Sequence, residues 1–114
     1  MSQPITTVDL TEIGEDLLAQ AAQADSGRAT RMFRAKPGGS LSQVMLALRA
    51  DRELSEHANP GQALLHVLRG RVRLGAGDNS WELGANGHMV IPEERHNLVA
   101  LEDAVVLLTV VRGG

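Results

Sequence analysis

Residues 63–83 read ALLHVLRGRVRLGAGDNSWEL, and this stretch decides the fold class. An apolar run ends at Gly70, a second run ends at residues 75–79, GAGDN, and residues of strand character resume after each break. Short apolar runs separated by clusters of Gly, Asp and Asn are typical of strands joined by tight turns. The stretch therefore predicts three strands, over residues 63–69, 71–74 and 80–83.

The same pattern continues on both sides of this stretch. Strands are predicted over residues 29–36 and 41–50 before it, and over 89–91, 96–101 and 104–111 after it. About eight short strands with turn signals every ~8–12 residues indicate a β-sandwich or barrel. Strands do not alternate with helices, which argues against a parallel doubly wound sheet.

Residues 9–24, DLTEIGEDLLAQAAQA, form the one helical pattern. Apolar residues recur at a spacing of three and four, and Asp9 suits the N-cap. A single helix cannot form an all-α domain, so we expect its apolar stripe to pack on a sheet or on a second subunit. The chain then divides into an N-terminal helical extension over residues 1–27 and a single β-domain over residues 28–114.

Composition narrows the class of protein further. The chain of 114 residues has no Cys, which excludes disulfides and thiolate metal ligands. Its net charge of −3 predicts no nucleic-acid partner. No apolar stretch is long enough to span a membrane, and the first residues lack the pattern of a signal peptide. We therefore expect a cytoplasmic protein that does not bind membranes.

Two segments resemble conserved motifs of the cupin family. Residues 56–72, EHANPGQALLHVLRGRV, are similar to the first motif, and residues 84–100 are similar to the second. The resemblance extends over residues 40–112 and implies a jelly-roll β-barrel of two antiparallel sheets with a pocket between them. In metal-binding cupins the first motif supplies two histidines and a glutamate, and the second supplies another histidine. These four positions hold here, in order, His57, Asn59, Ala63 and His96.

Two of the four metal ligands of the family therefore remain. A first-row metal ion in a protein normally takes three or four good ligands. We expect no tightly bound metal, and instead four polar groups at the mouth of the pocket: His57, Asn59, Gln62 and His96. The alternative is a divalent ion (Fe, Mn, Ni, Cu or Zn) held by His57 and His96 with help from Gln62, Glu93 or Glu94. Neither histidine is expected to belong to the core.

Three functions fit this pattern. The favoured one is the binding of a small molecule in the barrel pocket without a complete cupin metal site. The second is a metal-dependent enzyme of the dioxygenase or isomerase type that uses His57 and His96, and the third is a non-catalytic regulatory or structural dimer. Whether the protein is an enzyme stays open. The strand over residues 104–111 is apolar on both faces, which favours a homodimer.

Two further groups of polar residues receive non-catalytic interpretations. Counting in twos from Ala63 places His66 on the outer face of its strand, at an edge or a subunit contact. His88, beside a glycine, is expected in a solvated turn. Arg69, Arg71 and Arg73 alternate along the chain and are expected to share one strand face, which is solvated or, as the less favoured alternative, binds an anion or an acidic partner.

Overall fold

The structure is a computed structural model that describes residues 7–35, 38–58 and 61–112. In this part of the chain one helix precedes nine strands. They are α1 (Leu10–Gln23), β1 (Arg28–Ala35), β2 (Leu41–Leu48), β3 (Glu53–His57), β4 (Gln62–Arg69), β5 (Val72–Ala76), β6 (Asn79–Leu83), β7 (His88–Val90), β8 (His96–Ala100) and β9 (Ala104–Val111). Eight of these strands were predicted, whereas β3 was missed.

The strands form two antiparallel sheets. The large sheet has the order β1-β2-β9-β4-β7 and the small sheet has the order β3-β8-β5-β6. Their inner faces enclose one apolar core, to which Leu46, Leu65 and Val106 contribute from the large sheet and Leu74 and Leu98 from the small one. The predicted all-β class with one helix, and the two-sheet jelly-roll barrel implied by the cupin resemblance, are confirmed.

Strand β4 shows how the sequence alternation places side chains. Ala63, Leu65 and Val67 are buried, while the residues between them are exposed or only half-buried. Successive side chains of a strand point to opposite faces, so one face of β4 lies in the barrel core and the other faces outward. The outward position predicted for His66 agrees with this pattern.

Helix α1 packs against the outer face of the large sheet. Its buried residues Ile13, Leu17 and Ala21 form a second apolar cluster with residues of β2 and β9, among them Met45 and Val105. The carboxylate of Asp9 caps the helix by accepting from the N–H groups of Thr11 at 2.9 Å and Glu12 at 3.2 Å. Of the two expected partners for this helix, its own sheet is the one observed.

Gly14 permits the close approach of helix and sheet. A Cβ atom at this position would lie 3.2 Å from Cγ1 of Val105 on β9, which is tighter than ordinary van der Waals contact. The helix therefore accounts for one of the two apolar faces of β9, and the barrel core accounts for the other. No helix in the described ranges is long and apolar enough to cross a membrane.

Gly70 marks the crossing from one sheet to the other. Its φ is +81°, a left-handed conformation, and a Cβ there would collide with the carbonyl oxygen of Asp103. Arg69 ends β4 in the large sheet, whereas Arg73 lies in β5 of the small sheet. The expectation that Arg69, Arg71 and Arg73 share one strand face is wrong, because the turn at Gly70 separates Arg69 from the other two.

Candidate functional site

His96 is the buried polar residue of the barrel. It opens β8, and within the described residues it is the one polar side chain classed as buried, with 2% exposed. Leu98 and Ala100 follow on the same face of β8 and belong to the barrel core. The expectation that His96 lies at the pocket mouth, outside the core, is therefore wrong.

A backbone carbonyl orients the imidazole of His96. Its Nδ1 lies 2.9 Å from the carbonyl oxygen of Glu94. Because a carbonyl oxygen can only accept, Nδ1 carries the hydrogen and donates it. In the neutral imidazole Nε2 is then the nitrogen with the lone pair, able to accept a hydrogen bond or to ligate a metal.

An irregularity in β3 determines which residue lies opposite His96. Leu54 pairs with Leu98, and His57 pairs with His96, so three steps along β3 match two steps along β8. One extra residue in a strand is a β-bulge. A regular ladder would have placed Glu56 opposite His96, and the bulge places the backbone of His57 there instead.

On the other side of β8 from β3, His96 is paired with a residue of β5. Ala76 of β5 is the Cα partner of His96, and its methyl group is buried. On the opposite face of β8, Nδ2 of Asn97 donates to Oε2 of Glu53 at 2.8 Å and so ties β8 to β3. The side chain of His57 and the whole of Asn59 lie outside the described residues.

Ala63 occupies the position that corresponds to the glutamate of metal-binding cupins. It is 2% exposed and belongs to the barrel core, and its carbonyl oxygen accepts from the N–H of Ile91 at 2.9 Å. The inner face of β4 therefore presents a methyl group where a carboxylate would be needed for metal binding.

The other residues considered for the site are exposed. Gln62 is exposed, precedes the buried Ala63, and lines an outer groove together with Leu64, Val90 and Glu93. The carboxylate of Glu94 lies near the β5–β6 turn, since a Cβ at Gly77 would be 3.0 Å from its Oε1. Gln62 and Glu93 are exposed residues of a groove that Ala63 also lines, and their side chains are not among those buried in the barrel core.

The described side chains offer few metal ligands in any one place. Among residues 7–35, 38–58 and 61–112, taken without the side chains of residues 33, 35, 56 and 57, no group of three or more His, Asp or Glu residues could hold a metal ion. The arrangement around His96 is a buried imidazole of fixed orientation among apolar side chains. Sites for small molecules are typically apolar with a few positioned polar groups, and this arrangement has that composition.

Sequence reasoning identified His57 and His96 through the motif resemblance alone. The bulge in β3 could not be read from residues 53–57, ELSEH, because this stretch has too few apolar residues to show an alternation. His88 was placed in a turn, whereas it is the first residue of β7 and pairs with His66. That placement is a correction, although His88 is exposed as expected.

Comparisons with known proteins place this fold among solved structures. No protein-family profile and no curated protein matches the sequence. A conserved protein of unknown function from Streptococcus pyogenes matches with a TM-score of 0.71 and 22% identity, over 80% of this chain and 79% of that one. A cupin superfamily protein from Desulfitobacterium hafniense matches with a TM-score of 0.70 and 13% identity, over 75% and 78% of the two chains.

An RmlC-like cupin from Shewanella frigidimarina matches with a TM-score of 0.68 and 17% identity, over 77% of this chain and 78% of that one. Identities this low carry the fold and say nothing about activity. The two-sheet barrel, the strand order and these structural matches agree with the resemblance carried by residues 56–72 and 84–100. The chain therefore has the cupin fold.

Proposed function

We propose that this protein binds a small organic molecule in the barrel, beside His96, without a complete cupin metal site. The observation that carries the proposal is the burial of His96 on the core face of β8, with Nδ1–H engaged by the carbonyl oxygen of Glu94. Small-molecule sites are mostly apolar with a few precisely placed polar groups, and an imidazole of fixed orientation in an apolar barrel fits that description.

The chemical class of the proposed ligand is inferred from the side chains that line the barrel interior. Apolar side chains of both sheets form the interior, and Ala63 and Ala76 contribute only methyl groups near the ends of β4 and β5. Apolar walls favour a ligand with an apolar body. We therefore propose a small, mostly apolar molecule with one polar group that lies beside His96.

The first experiment is native mass spectrometry of freshly purified protein, followed by release and identification of any organic molecule. The identified molecule is then titrated against the wild type, His96→Asn and Ala63→Leu. We expect both variants to bind at least about tenfold more weakly, because one loses the imidazole and the other fills the pocket, and tenfold corresponds to about 1.4 kcal/mol. Leu64→Ala, on the outer face of β4, is the matched control and should bind normally.

The proposal would be wrong if His96→Asn and Ala63→Leu, both folded by circular dichroism, bound the molecule as tightly as the wild type. It would also be wrong if the wild type retained no molecule and a panel of small apolar acids, alcohols and amides did not raise its Tm.

A metal-dependent enzyme is the second candidate, and one observation favours it. Metal-ligating histidines usually donate their second ring N–H to a carboxylate, a backbone carbonyl or water, and His96 donates to a backbone carbonyl. In this candidate His57 and His96 are two of the ligands, and the ion is Fe, Mn, Ni, Cu or Zn. Elemental analysis of protein purified without a chelator or affinity tag tests it, with the His57→Ala/His96→Ala variant as the control.

A homodimer, a cytoplasmic location and a division at residue 27 remain part of the proposal. The dimer is supported by apolar residues exposed on the outer face of the large sheet, where α1 does not cover it, among them Leu41 at 53% and Val90 at 65%. Light scattering at micromolar concentration tests it, and a monomer there would contradict it. The regulatory or structural dimer would be favoured if such a dimer bound neither metal nor small molecule.

A further inference from the structure

A pair of histidines lies on the outside of the barrel. His66 of β4 and His88 of β7 are Cα partners in the large sheet. Their ring centroids are 5.8 Å apart and the ring planes are inclined by 64°. His66 is half-buried and His88 is exposed, so solvent ions can reach the pair.

We propose that His66 and His88 together bind one divalent transition-metal ion, of the class Cu²⁺, Ni²⁺ or Zn²⁺. Imidazole nitrogen is a preferred ligand of all three ions. With metal–nitrogen bonds of about 2.0–2.1 Å and a tetrahedral angle, two imidazoles on one ion have their ring centroids about 5 Å apart. The observed separation of 5.8 Å is close to this distance.

The backbone pairs the two histidines across β4 and β7 before any ion binds. On one side of the pair, the N–H of Val67 donates to the carbonyl oxygen of Gly87 at 2.9 Å, and the N–H of Asn86 donates to that of Val67 at 2.7 Å. On the other side, the N–H of Ile91 donates to the carbonyl oxygen of Ala63 at 2.9 Å. Ligands positioned in advance lose less conformational entropy on binding, which strengthens a two-ligand site.

Among the described side chains, no third His, Asp or Glu joins the pair to form a metal site. Leu107 of β9 is the other Cα partner of His66, and Leu64 and Val90 follow on the same outer face. None of these three side chains can bind a metal, so water completes the coordination. An ion held by two imidazoles binds modestly, and the affinity is expected to follow the order Cu²⁺ above Ni²⁺, with Zn²⁺ weaker than Cu²⁺.

This outer site is separate from the proposed binding pocket. His66 lies between Leu65 and Val67, whose side chains are buried in the barrel core on the other face of β4. The wall of the barrel therefore separates the outer histidine pair from His96. A metal bound at His66 and His88 neither requires nor excludes the proposed small-molecule function.

The test is calorimetric titration of the metal-free full chain with Ni²⁺, using the wild type, His66→Asn and His88→Asn. We expect one binding event per chain in the wild type, and at least a tenfold loss of affinity in each variant, because one imidazole alone forms no chelate. Glu102→Gln removes an exposed carboxylate elsewhere and serves as the control, which should bind as the wild type does. Side-chain NMR of the histidines with Zn²⁺ should shift both rings together.

Retention of wild-type Ni²⁺ affinity by either histidine variant would overturn the assignment. So would a Zn²⁺ titration in which the resonances of only one of the two rings move. If the binding event persisted in the His66→Asn/His88→Asn variant with wild-type affinity, the ion would belong to another part of the chain, such as His57 and His96, and the assignment would be wrong.

Discussion

Nδ1 of His96 and the carbonyl oxygen of Glu94, two residues apart in the chain, lie 2.9 Å apart at the start of β8. This hydrogen bond ties the imidazole to the backbone of the segment between β7 and β8. It also fixes which ring nitrogen carries the hydrogen in the neutral ring. A buried ring of fixed orientation is the feature that both candidate functions use.

The first prediction concerns the stability contributed by this histidine. His96→Ala removes a buried ring and leaves the Glu94 carbonyl without its donor, so we expect a loss of about 1–3 kcal/mol in the free energy of unfolding. His88→Ala makes the same substitution at an exposed position and should cost within about 0.5 kcal/mol. Urea unfolding measures both, and equal losses would contradict the structural role of His96.

The second prediction tests whether the barrel retains the geometry of a metal-binding cupin. Ala63→Glu combined with Asn59→His restores the two ligands that the family motif has and this chain lacks. Without metal, the buried carboxylate should lower stability by about 2 kcal/mol or more. Excess Ni²⁺ or Mn²⁺ should recover much of that loss, because an ion that binds only the folded state stabilises it.

The control for this gain of metal binding is Leu41→Glu combined with Asn59→His. It introduces the same carboxylate at an exposed position on the outer face of β2, which β9 separates from β4, so that it lies apart from the barrel interior and from the pair of His66 and His88. If both variants responded equally to the metal ion, the inner face of β4 would not be the place where cupin ligands converge.

The third prediction compares two glycines that share a backbone conformation. Gly70 has φ +81° and Gly38 has φ +79°, but only Gly70 is enclosed, with the Cα of Ala104 2.9 Å from the position of an added Cβ. Gly38→Ala should cost about 1–2 kcal/mol for the left-handed conformation alone. Gly70→Ala should cost clearly more, because the backbone after β8 must move; thermal unfolding of both variants measures the difference.

The fourth prediction concerns the attachment of α1. Leu17 is fully buried between the helix and the large sheet, so Leu17→Ala should cost about 2–5 kcal/mol. Leu41→Ala makes the same substitution at a side chain that is 53% exposed and should cost less than about 1 kcal/mol. Equal effects in chemical denaturation would show that α1 adds nothing to the stability of the barrel.

Periodicity predicted the elements that have a clear apolar pattern. The spacing of Ile13, Leu17 and Ala21 predicted α1, and the run over residues 104–111 predicted β9 with its observed bounds. In both cases burial on a defined face requires apolar residues at fixed intervals, and these can be read from the sequence.

Features that depend on long-range contacts were not predictable in this way. Strand β3 is short and polar, and its position and bulge are set by pairing with β8, which is distant in the chain. The separation of Arg69 from Arg73 depends on the left-handed turn at Gly70, which fits against the backbone of Asp103 and Ala104. The burial of His96 follows from the closure of the barrel and not from any property of residues 94–98.

The position of β9 has a consequence for synthesis of the chain on the ribosome. β9 follows every other described strand, yet it lies in the middle of the large sheet, hydrogen-bonded to β2 and β4, and carries Val105 beneath α1. Until β9 leaves the exit tunnel, β2 and β4 have unpaired edges and the apolar stripe of α1 has no complete surface to pack on. The nascent chain therefore folds late, and in that interval its exposed edges are where chaperones would bind.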